Sequence, residues 1–170
     1  MGVDCFMFMS GSKPEGRATT DEDIRRAAAG AEEWADYAGQ YGLELSYHIH
    51  TNTLVDSTDE WKLYMSLLDK VKLCIDVSHA DLWGYDPVES LSDFWGQLNY
   101  VHLQDYASCS VRDYGKYNPQ WVDVGQAESL DFKAVMDLCA ERGFSRWVTA
   151  CPGNPPEGDD PISEARRSVG

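Results

Sequence analysis

The feature that most constrains this chain is the run from Leu43 to His102, which holds all four of its histidines. It reads as three short apolar strands, each closing on a polar cluster. Leu43–Tyr47 runs into His48-Ile49-His50, Lys72–Ile75 into Asp76-Val77-Ser78-His79, and Asn99–Val101 into His102-Leu103-Gln104-Asp105. In a parallel α/β sheet or barrel the carboxyl ends of the strands share one face, and ligands bind there. Imidazoles and carboxylates gathered on that face suit a divalent metal such as Mn, Co, Fe or Zn.

The rest of the chain supplies the sheet. Val3–Met9 reads as a buried strand stopped by Ser10-Gly11-Ser12 and Pro14. A capping box, Thr19 with Glu22 or Thr20 with Asp23, opens a helix. Its Ile24, Ala27, Ala28, Ala31, Trp34, Ala35 and Ala38 recur at helical spacing up to Gly42, a candidate C′ glycine. Ser57 and Glu60 open a second helix with Trp61, Tyr64, Leu67 and Leu68 on one face. Strand 72–76, a loop to Pro87, a helix over about 88–97 with Pro at N1 and strand 99–103 follow. Residues 104–130 read as a long connection rich in aromatics (Tyr106, Tyr114, Tyr117, Trp121), and such lengths inside a domain are usually functional or disordered. Asp131 caps a helix ending at Gly143, and a strand from Trp147 to Ala150 leads into Cys151-Pro152-Gly153. A βα unit thus repeats about four times before a closing strand, which means a parallel sheet with right-handed crossovers. One domain is expected over 1–153, followed by a Pro-, Gly- and acid-rich tail over 154–170. Trp34, Trp61 and Trp95 sit at helical spacing and are read as core.

Charge and cysteines exclude several classes. A formal net charge of −15 over 170 residues argues against nucleic acid, whose phosphates need a basic footprint. It fits a chain handling neutral or metal-chelating small molecules. No apolar run approaches the roughly 18 residues of a membrane span. Met1–Met9 is apolar but lacks the basic lead and small-residue cleavage site of a signal peptide. Five cysteines without CxxC spacing suggest reduced thiols, so a cytoplasmic location is expected.

At Tyr47-His-Ile-His-Thr-Asn-Thr53, Asp76-Val-Ser-His79, Val101-His-Leu-Gln-Asp105, Val124-Gly125 before Leu130-Asp-Phe132, Gly143-Phe144 and Trp147, the chain resembles the sugar phosphate isomerase/epimerase superfamily. These are the xylose-isomerase-like barrels, and the inosose-dehydratase-like branch is the nearest in pattern. The resemblance implies a (β/α)8 barrel with a divalent metal at the carboxyl-end face, held by residues at the ends of strands five to eight. Carried over by position, His48 stands where many members have a metal-binding Glu, and Asp76 and His102 match the next two ligands. His79 matches a residue that binds substrate or, in some members, a second metal.

Two departures stand out. Such barrels need about 250 residues, and the strands here match only strands four to eight. The expected fold is therefore a partial (β/α) barrel: a fragment, one subunit of a split barrel, or a half-barrel that pairs with a second copy or with a chain supplying the N-terminal half. The fourth ligand is normally a Glu four residues after the Trp, where Cys151 stands; a thiolate can bind Zn or Fe but cannot serve as a carboxylate base. Ala127 also replaces a glycine usual near that position.

Each candidate has a plainer alternative. His48 and His50 alternate along a strand, so one of them could be a ligand while the other contacts substrate or a neighbouring ligand. Asp76 could be a strand-end Asp satisfied by loop amides, and His79 could cap the following turn. Asp105 could orient His102 or the loop, since ligating imidazoles usually have such a partner. Cys151 could be a small buried apolar residue, and the tyrosines of 106–117 could pack a core or lid as readily as stack on substrate. The resemblance implies isomerisation, epimerisation or dehydration of a sugar or cyclic polyol through an enediolate-type intermediate. In that scheme His48, Asp76, His102 and Cys151 would hold the metal, His50 and His79 would contact substrate, and His79 and Asp105 would move protons. The rival expectation is an accessory half-barrel that has kept the fold and lost the chemistry, in keeping with the missing Glu at 151.

Overall fold

The computed structural model describes residues 3–112 and 115–153; the expected tail over 154–170 lies outside the described residues. Strand β1 (Cys5–Phe8) is shorter than Val3–Met9 and is not buried: Phe6 and Met7 are exposed, because among the described residues β1 is an edge that pairs with β2 alone. It leads into helix α1 (Asp21–Gly39), opened by the Thr20/Asp23 capping box rather than the Thr19/Glu22 alternative. β2 (Glu44–His48), α2 (Thr58–Ser66) and β3 (Lys72–Asp76) follow. Ser57 caps α2 by accepting from the Glu60 amide, while the Glu60 side chain takes the Asp56 amide. Helices α3 (Val77–Leu82) and α4 (Pro87–Asp93) then precede β4 (Leu98–Leu103). The chain continues through β5 (Asp105–Arg112), β6 (Lys116–Val122), α5 (Phe132–Glu141) and β7 (Trp147–Ala150).

The main sheet has the order β1-β2-β3-β4-β7, with every neighbouring pair parallel. It is a curled half-barrel, as expected. On β2, β3 and β4 alternate residues point to opposite faces. Leu45, Tyr47, Ile49, Leu73, Ile75, Val101 and Leu103 enter the core with Ile24, Trp61, Tyr64 and Leu91 of the helices. Ser46, His48, Cys74, Asp76, Tyr100 and His102 alternate with them and face the other way.

A register shift sets the phase of β4. Leu73 pairs with Leu98, but Cys74 pairs with Tyr100, so Asn99 is an extra residue in β4. A bulge of this kind reverses the alternation after it. Its effect here is that Leu98 keeps to the core while His102 comes opposite Asp76. The buried Asn99 amide is held from β2, across β3, where Ser46 Oγ donates to its Oδ1 at 2.8 Å.

Four further expectations need correction. The loop drawn to Pro87 contains α3, because Asp76 caps it directly off the end of β3, and α4 ends at Asp93 rather than near 97. The connection 104–130 is not a structureless loop over most of its length: β5 and β6 form an antiparallel hairpin from Asp105↔Val122 to Arg112↔Lys116. Trp34 is not core but 60% exposed, with its ring edge-on to Phe8 at a separation of 6.1 Å. It lies on the rim of α1 beyond β1, where the sheet offers no further strand to cover it. Trp61 is fully buried and stacked on Phe94, and Trp95 packs against Phe144.

Candidate metal centre

The end of β3 builds the centre. Asp76 is the last residue of the strand and the N-cap of α3, and it divides its carboxylate between these roles. Oδ1 accepts from the Ser78 amide at 3.0 Å and the Ser78 hydroxyl at 2.6 Å. Oδ2 is buried and accepts no hydrogen bond, although Nδ1 of His102 lies 2.7 Å away and Nε2 of His48 lies 3.5 Å away. Oδ1 thus meets the expectation of a strand-end Asp satisfied by the following turn, while Oδ2 is left open toward the two imidazoles.

Nδ1 of His102 and Nε2 of His48 are 3.1 Å apart. Among the described residues, His48, Asp76 and His102 form the group whose donor atoms all lie within 4.8 Å of one another. Ligands about 2.0–2.1 Å from a tetrahedral Zn ion stand about 3.3 Å apart, and the three separations bracket that value. Two borderline nitrogens and one hard oxygen, the orphaned buried Oδ2 of Asp76, fit a first-row divalent ion.

Burial would push the Asp76 carboxyl upward, but contact with His102 and His48 and the field of His79 outweigh it. The group is held well below the ordinary carboxylate range. It is an anion at neutral pH, as a ligand must be. His79, three residues on, is fully buried with Nε2 at 3.8 Å from Asp76 Oδ2. Burial lowers its pKa to about 3 against the opposing pull of Asp76, with His50, His48 and His102 adding to the fall. Its ring is therefore neutral.

Two further elements frame this group. The segment after β2 carries His50 and Thr51: the His50 ring lies 4.0 Å from that of His79, and Nδ1 of His79 receives the Thr51 amide at 3.3 Å. The β5–β6 hairpin brings Trp121 against His79 at a ring separation of 5.4 Å, with Tyr106 edge-on to Trp121. Asn52, at φ 63°, clamps this hairpin by accepting from the Tyr117 amide at 2.9 Å and donating to the Tyr117 carbonyl at 3.0 Å. Trp121 has no place among the candidates read from sequence. The alternation of Tyr117, Pro119 and Trp121 was the available signal, masked by proline and polar neighbours.

The remaining candidates stand apart from the close group. Asp105 is buried, with Oδ1 accepting from the Tyr106 amide at 2.8 Å and Oδ2 from the Gly125 and Ala127 amides at 2.9 and 3.1 Å. It ties the end of β4 to the loop after β6. Cys151 continues the β7 ladder through its amide to Leu103 O at 2.7 Å, and Gln104 Nε2 approaches its sulfur at 3.8 Å. None of the described cysteines is in a disulfide, and no helix of the described residues is long and apolar enough to cross a membrane.

Fold and site together define a parallel α/β half-barrel with a candidate divalent-metal group at the carboxyl ends of its strands. The profile of the xylose isomerase-like TIM barrel family matches residues 1–169, and the chain belongs to that family. Inosose dehydratase of Lacticaseibacillus casei is 27% identical over 160 residues, 88% of this chain and 53% of that protein. A solved L-ribulose 3-epimerase superposes with a TM-score of 0.74 at 15% identity, covering 98% of this chain and 59% of its own. The IOLI protein, solved with a bound zinc atom, superposes with a TM-score of 0.63 at 22% identity, covering 86% of this chain and 52% of its own. The chain spans about half the length of the curated relatives it matches.

Proposed function

We propose that this chain carries the metal-binding half of an enzyme that isomerises, epimerises or dehydrates a sugar or cyclic polyol. The observation that carries the reading is the buried, anionic Asp76 Oδ2, which has no hydrogen bond and faces two imidazole nitrogens. His48, Asp76 and His102 would hold the ion, and Cys151 is not counted among the ligands because its sulfur lies outside the close group. The ion would supply a Lewis acid able to polarise a carbonyl and an adjacent hydroxyl oxygen. His79 and His50 border that position and would contact substrate, while Trp121 excludes water from one side. Asp105 would act by positioning, holding the 125–127 amides against the end of β4. The inosose dehydratase and L-ribulose 3-epimerase likenesses support a polyhydroxylated small-molecule substrate.

Elemental analysis of wild type against an Asp76→Ala/His102→Ala double variant tests the ligands. About one ion per folded chain is expected in the first and a trace in the second. Equal metal content in both would sink the assignment.

Completion by another chain belongs to the same proposal. Among the described residues β1 and β7 each pair on one side only, and Phe6, Met7, Trp147 and Val148 on them are exposed. Unpaired apolar edges of this kind invite association. A second copy, or a chain carrying the other half-barrel, would cover them. Light scattering coupled to size exclusion should show a species larger than the monomer; a stable monomer that unfolds cooperatively would refute this part.

A further inference from the structure

Thr51 lies between two imidazoles and bonds to both. Its amide donates to Nδ1 of His79 at 3.3 Å, and its hydroxyl lies 3.1 Å from the same nitrogen. Its carbonyl lies 2.7 Å from Nδ1 of His50. The side chain is buried, so water does not compete for its two bonds to His79. An amide N–H can only donate, and a carbonyl can only accept.

We infer that Thr51 is a positioning residue that sets His50 and His79 in opposite tautomers. Nδ1 of His79 must present a lone pair to the Thr51 amide, which puts the ring proton on Nε2. The Thr51 hydroxyl, meeting the same lone pair, donates as well. Nδ1 of His50 must carry a proton for the Thr51 carbonyl, and in the neutral ring this leaves Nε2 as an acceptor. Two rings 4.0 Å apart thus present one donor and one acceptor.

Nε2–H of His79 is buried, has no partner, and lies on the Asp76 side of the ring. A nitrogen that carries a proton cannot ligate a cation, so His79 addresses an oxygen instead. A neutral imidazole N–H of this kind polarises a carbonyl without giving up its proton. Nε2 of His50 accepts from a hydroxyl. The combination fits an α-hydroxycarbonyl, whose carbonyl faces His79 and whose neighbouring hydroxyl faces His50. The substrate class rests on the metal-centred sugar chemistry proposed above; the tautomers do not.

Long-range ¹H–¹⁵N spectra of the metal-free protein at neutral pH test both parts, with ring signals assigned through His50→Gln and His79→Gln variants. The expected pattern is protonated Nε2 with bare Nδ1 in His79, and the reverse in His50. The same tautomer in both rings, or a proton on Nδ1 of His79, would overturn the inference whether or not the chain binds metal. Thr51→Val keeps the amide and the carbonyl and should therefore keep both tautomers; a proton that moves to Nδ1 of His79 in this variant would overturn the role given to the Thr51 main chain. Dihydroxyacetone should shift both Nε2 signals and glycerol, which lacks the carbonyl, should not. Equal responses, or none to dihydroxyacetone, would overturn the α-hydroxycarbonyl assignment.

Discussion

Asn52→Ala is the change that most directly tests how the hairpin is held over the centre. The wild-type side chain makes two hydrogen bonds to the main chain of Tyr117, one as donor and one as acceptor. Each such bond contributes about 1 kcal/mol net, and placing Ala at φ 63° in the left-handed region adds about 1 kcal/mol. The clamp should therefore weaken by about 3 kcal/mol, which makes the β5–β6 amides exchange about 100-fold faster if they open as a unit. Asn52→Gly removes the same bonds and relieves the backbone, but it adds about 0.4–1 kcal/mol of chain entropy to the open state. The two variants should thus lie within about 1 kcal/mol of each other. Hydrogen exchange read by mass spectrometry over peptides spanning 105–122 measures this against the β2–β4 core. Wild-type protection in Asn52→Gly would mean that backbone strain carries the whole effect and the clamp contributes nothing.

Three further outcomes are expected. The Asp23 carboxyl is held well below its ordinary range by its hydrogen bond to Arg17, with Thr20 adding to the effect against burial. Its contribution is therefore complete above about pH 4, where the unfolded group ionises, and is lost as pH falls through the folded value; Asp23→Asn should flatten the acid limb of a Tm-against-pH curve, and an unchanged limb would refute this. Gly153→Ala would place a Cβ 2.4 Å from the Val122 main chain, so it should displace residues 151–153 from the base of the hairpin and break the Gly153 amide bond to Asp123, lowering Tm by several degrees; an unaltered Tm and an unaltered amide signal would show that the two segments do not meet. Cys151→Glu should leave zinc stoichiometry unchanged, as its position outside the close group requires, and a rise to a tighter or second site in a zinc titration would return residue 151 to the ligand set.

The sheet and the His/Asp ends of its strands were legible because short apolar runs, caps and turn residues punctuate them clearly. Asp76 shows why residue type alone could not decide a role: one oxygen is a helix cap and the other is not, and only coordinates divide them. Helix α3 was missed because its six residues follow the strand without a connecting loop and are too few to display a period. The hairpin was missed because its strands place serines and Pro119 between aromatics, so neither apolar alternation nor a compact turn signal stood out. Trp34 was misplaced because helical spacing reports which residues share a face but not whether the sheet extends far enough to cover it. The bulge at Asn99, which turns His102 toward Asp76, depends on cross-strand register, a property of two strands that no single segment reveals.

The register that brings His48, Asp76 and His102 together also bears on when the centre forms. The hairpin closes by contacts between residues close in the chain, which places its formation on the microsecond scale. The centre instead needs β2, β3 and β4 side by side, with helices threaded between them, and parallel pairings of that kind come late because loop closure precedes their reward. The unfolded chain therefore does not hold the three donors in one place. An ion that recognises all three selects the finished sheet, and its binding free energy adds to the stability of these strands over any partly folded form. The concentration of free metal would then act on how long the half-barrel persists, apart from any part the ion has in chemistry.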